Sequence, residues 1–213
     1  MVKTDYIIRI IEQFAAFLWA IVFNKKAQNY DIALDKIEEV YNGLLHLDSN
    51  VIRNLRVSEI IQNNTYKNIL DKDNIEIIAN LLFEEADIIE RINGTNITSL
   101  QCYEKSFELF FVLFDNMETE KTYEKINEII NKLENYETKN EIMYKIYEYY
   151  MKIDLYGKAE DKLYQLLEIN YPNIKNEIET FYKILLNKDD NILEKGNLPR
   201  NEIVNGIKEL ENM

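Results

Sequence analysis

The chain has 213 residues, 46% hydrophobic and 30% charged, which is enough apolar material to bury a sizeable core. Five Gly and two Pro are too few for the many turns of a sandwich or barrel, while Glu, Lys, Leu and Ile favour helix, so the chain reads as all-α. A net charge of −13 with no dense Lys/Arg cluster argues against nucleic acid as a partner, and the single cysteine, Cys102, excludes an internal disulfide and reads as a small buried hydrophobe.

The first predicted element is a helix over residues 3–27. Ile7, Ile10, Ile11, Phe14, Phe17, Leu18, Ile21 and Val22 recur at spacings of three and four. Within it, residues 14–23 (FAAFLWAIVF) are unbroken apolar sequence. A membrane span needs roughly 20 such residues, and Gln13, Glu12 and Arg9 interrupt any backward extension. A secretion signal needs a small-residue cleavage site, and FNKKAQN offers none. The remaining reading is a helix buried on several sides, with Trp19 shielded in a monomer or in a homodimer formed through this helix. Residues 1–30 carry a net +2, so the acidity lies in the rest of the chain.

Tyr30 and Ala33 in NYDIALDKI (29–37) have the Y-x-x-A spacing of a helix crossing. His46, the one histidine, excludes a multi-histidine metal site and reads as a helix-terminal residue. Residues 51–73 are predicted as an irregular connector holding one short helix at 57–62. DKDNIE (71–76) begins like a calcium loop, but Ile75 stands at the third ligand position and no glycine follows, so no metal site is assigned.

Over residues 75–92, helical projection gathers Ile75, Ile78, Leu81, Leu82, Ala86, Ile88, Ile89 and Ile92 into one stripe, with Glu85 inside it. A carboxylate there is either a functional acid with a raised pKa or a residue at an exposed edge satisfied by a Lys. The opposite face carries Glu76, Asn80, Phe83, Glu84, Asp87, Glu90 and Arg91, which leaves Phe83 as a ring among acids. Thr98 with Gln101, and Thr138 with Glu141, have reciprocal capping spacing and mark two helix starts. A helix near 123–133 lies between them.

The repeat pattern is clearest at 141–172. There Tyr156 and Ala159 repeat the Y-x-x-A spacing, Leu163, Leu166 and Leu167 continue the face, and Pro172 closes the unit. A looser unit covers 80–109. On helix 141–153, Glu141, Lys145, Glu148 and Lys152 form a charged face flanked by Tyr144, Tyr147 and Met151. Gly196 ends a short element, and Pro199 opens a last helix at 199–211. The expectation is a single domain over 1–213, a tetratricopeptide-like array of antiparallel helix pairs in irregular register.

DYIIRIIEQ (5–13) and GNLPRNEIVNGI (196–207), with ANLLFEEADI (79–88) and YEKSFEL (103–109) between, resemble an uncharacterised tetratricopeptide-like family of low-GC Gram-positive bacteria. Asn197 stands where that pattern has a second glycine. The resemblance implies the helical-array fold and a bacterial cytoplasmic origin, and it supplies no catalytic residues.

No phosphate-cradling loop or nucleophile–base pair is assigned, so the functional expectation is a non-enzymatic interaction module with no cofactor. A protein or peptide partner, favoured if basic, is expected on a surface presenting Asn80, Phe83, Asp87, Glu90, Tyr144 and Glu148. The alternatives are a homo-oligomeric structural module and an enzyme with an unrecognised site.

Overall fold

The computed structural model describes residues 2–116 and 119–211, with side chains from residue 12 to residue 210 apart from that gap. The fold is all-α, a succession of helices packed against their neighbours in sequence. Where the sequence reads as one domain, the chain forms two compact units, Met1–Glu137 and Thr138–Met213.

The first unit begins with α1 (Val2–Lys26) and α2 (Tyr30–Leu44), which pack on each other. Ala33, the small residue of the Y-x-x-A spacing, is fully buried on α2. His46 takes a left-handed backbone (φ 53°) just beyond α2, as a helix-terminal residue can.

The connector is more regular than the sequence suggests. It holds α3 (Ser49–Asn54), α4 (Val57–Asn63) and a minimal hairpin of β1 (Thr65–Tyr66) and β2 (Ile69–Leu70). Antiparallel register pairs Thr65 with Leu70 and Tyr66 with Ile69. Lys67 and Asn68 both have positive φ, the backbone a tight two-residue hairpin turn requires.

Next come α5 (Lys72–Asn93), α6 (Ile97–Asn116) and α7 (Glu120–Leu133). Helix α5 packs on α6, α2 and α1, and α6 also packs on α7. This encirclement explains the burial of α5 on every side, with Ile75 and all residues from 77 to 88 inside. Helix α6 is capped by Asn96 rather than Thr98, because the Asn96 side chain accepts from the backbone N–H of both Thr98 and Ser99 at 3.0 Å.

The second unit comprises α8 (Asn140–Lys152), α9 (Tyr156–Glu168), α10 (Ile174–Leu186), α11 (Asp190–Lys195) and α12 (Arg200–Glu211). Helix α8 begins after Lys139, so the cap expected at Thr138 is displaced by one residue. Tyr156, Ala159, Leu163 and Leu166 are all fully buried, as their spacing requires. Gly206 on α12 admits the Tyr182 ring, since a Cβ there would collide with the phenol.

Candidate functional site

Glu84, Asp87, Glu90 and Arg91 follow one another at helical spacing along the second half of α5, so they stand on neighbouring turns. The last turn of α1 brings Lys25 to them, and the last turn of α7 brings Lys132. Lys25 Nζ lies 2.5 Å from Glu84 Oε2 and 2.8 Å from Asp87 Oδ2. Lys132 Nζ lies 2.6 Å from Asp87 Oδ1 and 2.8 Å from Glu90 Oε2, while Arg91 Nε reaches Asp87 Oδ2 at 3.0 Å. Tyr103 and Tyr136 donate to the two Glu90 oxygens at 3.1 and 2.8 Å. The network borders a recess of about 430 Å³.

Burial pushes the Asp87 carboxyl up, but hydrogen bonds from Lys132 and Lys25 outweigh it and hold it well below the usual carboxylate range. Burial likewise pulls Lys25 and Lys132 down, and the facing carboxylates raise both above the ordinary lysine value. Lys25, Asp87, Glu90, Arg91 and Lys132 are therefore held charged. The network clamps α1 and α7 onto α5.

This arrangement corrects the expected exposure of the polar face of α5. Phe83 is 2% exposed, Asp87 3% and Asn80 5%, and Glu90 is half-buried. Asn80 donates its amide to the Glu76 carbonyl at 2.8 Å. Lysine nitrogens do lie over the Phe83 ring, Lys125 at 4.1 Å and Lys25 at 5.9 Å from its centroid, but they come from the chain itself. Tyr144 and Glu148 are half-buried on α8 of the other unit. Tyr144 stacks on Tyr171 at 5.9 Å and tilts against Tyr147 at 5.4 Å, and Tyr147 donates to Glu177 at 3.0 Å. The six residues thus divide between the two units, four on α5 and two on α8.

Glu85 points the opposite way from Asp87 in its environment. It is 3% exposed, and Arg53, not a lysine, pairs with its Oε1 at 3.1 Å. Burial raises its pKa to about 7, with Arg53 opposing and Glu38 adding to the rise. Its Oε2 and the Tyr41 hydroxyl are buried with no hydrogen-bond partner among the described residues. Cys102 is buried, and burial pushes its thiol up to about 12, so it is an inert core thiol.

Helix α1 departs from expectation in the other direction. Phe14 and Ile21 are buried, but Trp19 is 68% exposed and Phe23 54%, so the helix is not covered on several sides by its own chain. The two rings stack with centroids 5.2 Å apart and planes 13° apart. Among the described residues no helix is long and apolar enough to cross a membrane.

The partners Lys25, Arg53 and Lys132 are absent from the sequence-derived candidates. The signal they share is position, because all three stand in the last turn of a helix, where the helix dipole favours a cation.

The family of unknown function DUF6483 matches residues 1–109 and residues 61–213, and the chain belongs to that family. No curated protein and no solved structure matches the chain.

Proposed function

We propose that this chain is a non-enzymatic interaction module that binds another protein chain through an exposed helix face, with α1 as the contact helix. The observation that carries the reading is the stacked pair Trp19 and Phe23, held out into solvent on that helix. Interface hot spots are enriched in Trp, and exposed apolar side chains grouped together mark a contact surface.

The tetratricopeptide-like reading draws support from Tyr156 and Ala159, fully buried on α9, which packs on α8. Arrays of this kind offer helix faces to partners. The acidity of the chain outside residues 1–30 adds long-range attraction for a basic partner, and salt weakens that term because exposed charges are screened beyond about 10 Å at 0.1 M. A bacterial cytoplasmic setting rests on the resemblance at the two ends of the chain and agrees with the lone, buried thiol.

The test is paired capture from cells with the tagged chain and its Trp19→Asp, Phe23→Asp variant. Proteins retained by the first and lost by the second, with unchanged circular dichroism, are the expected result. An identical set of captured proteins removes α1 as the contact helix.

A further inference from the structure

We propose that the chain seated on α1 is a second copy of this one, packed antiparallel across a twofold axis that passes through Trp19. The inference rests on the reading of α1 as the contact helix and names its partner. At 100° per residue, Glu12, Ala15, Trp19, Phe23 and Lys26 fall within about 40° of one line along the helix. All five are exposed.

The line is balanced about Trp19. Glu12 and Lys26 lie one on each side at equal separation, about 10.5 Å along the axis, and Ala15 and Phe23 do the same at about 6 Å. A twofold axis perpendicular to the helix at Trp19 therefore lays position 12 on position 26 and position 15 on position 23. Each Phe23 ring stands level with the partner's Ala15, on the other edge of the stripe, and the two indoles meet at the axis. Glu12 meets the partner's Lys26 at one end, and symmetry repeats the pair at the other.

A parallel arrangement of the same stripe would set Glu12 against Glu12 and Lys26 against Lys26. Like charges in register are unfavourable, so the charge order selects the antiparallel pair. One helical stripe covers less than the roughly 800 Å² per partner of a standard interface, so the association is concentration-dependent rather than permanent.

Light scattering and sedimentation of the full chain over a concentration series, at low salt, test this directly. The expected result is a monomer–dimer equilibrium, with Trp19 emission shifting to the blue as dimer forms. Glu12→Lys alone and Lys26→Glu alone each weaken dimerisation about tenfold, because each replaces two attractions by two repulsions. Mixing the two variants restores association, since every contact in the mixed dimer is again between opposite charges. Singles that dimerise like the natural chain, or a mixture that fails to recover, overturn the antiparallel register.

A chain that stays monomeric throughout overturns the self-pairing. In that case, capture that still depends on Trp19 and Phe23 leaves the contact-helix reading standing with a different occupant. Capture that does not depend on them ends both.

Discussion

Helices α1 and α5 belong to the same compact unit, yet α1 presents to solvent large rings of the kind that α5 hides. On α5 the polar face goes inside, with Phe83, Glu84 and Asp87 all at 5% exposure or less. On α1 two of the largest apolar side chains of the molecule stay outside. Burial follows available partners more than polarity. Carboxylates can enter a core when cations on adjacent helices arrive to match them, and rings can remain in water when no helix of the same chain covers them.

The largest effect is expected at Asp87. Asp87→Ala leaves Lys25, with a side chain only 10% exposed, and Lys132 facing a lost charge, and removing one partner of a buried pair costs about 3–5 kcal/mol. Because the folded-state pKa of Asp87 is depressed, its contribution is complete above the ordinary Asp value of about 4 and fades as pH falls below that. Urea unfolding at neutral pH measures it. A loss under 1 kcal/mol would mean that the three cations are content without the carboxylate.

Glu85, two residues earlier on α5, has the opposite sign. Its folded-state pKa of about 7 lies above the unfolded value, so the folded protein binds the extra proton between about pH 4.5 and 7. Its stabilising contribution is whole below pH 4.5 and lost as pH rises through 7, a swing of roughly 3 kcal/mol. Arg53 and Glu38 face it, with Tyr41 and Cys102 close enough for its charge to raise their pKa values. Glu85→Gln should remove that swing, so the stability difference between variant and natural chain should grow from pH 5 to pH 8. A constant difference would show an acid that titrates normally.

A smaller effect isolates the ring. Lys125 stands 4.1 Å from the Phe83 centroid with a partly exposed side chain, so the attraction is expected at about 0.5–1 kcal/mol. A double-mutant cycle on Phe83→Leu and Lys125→Gln reads that coupling apart from packing. Zero coupling would assign Phe83 to packing alone.

Much of the fold is legible in the residues because helical period and scarce breakers determine it. The helix expected near 123–133 is Glu120–Leu133, and the one expected at 199–211 is Arg200–Glu211. Helix starts were less legible: Asn96 caps the helix two residues ahead of Thr98, on the N–H groups of Thr98 and Ser99, and no spacing rule ranks two residues that can both cap. At the candidate site the chemistry was legible and its direction was not. Phe83 has a ring suited to a cation and Asp87 a carboxylate suited to one, as their neighbours in sequence suggest. The cations are Lys25, Lys125 and Lys132, dozens of residues away, and the period of one helix carries no information about which other helix will cover it.

The smallest expected effect is the one that most sharpens the contrast. Trp19→Ala removes the largest side chain of α1, and the burial rule that makes Phe83→Ala cost about 3–5 kcal/mol would predict a heavy loss if both rings were core. Trp19 is 68% exposed and its ring contact is with Phe23 on the same helix. An exposed ring has little water to shed on folding, so the monomer should lose no more than about 0.5 kcal/mol. The measurement belongs at a concentration low enough that self-association adds nothing, because a dimer would stabilise the folded chain by mass action and inflate the apparent cost. At high concentration the same variant should differ more from the natural chain, and the excess is the part that Trp19 contributes through a second molecule. A loss of several kcal/mol at the lowest concentration would mean that the chain itself covers Trp19, and the inversion between α1 and α5 would vanish with it.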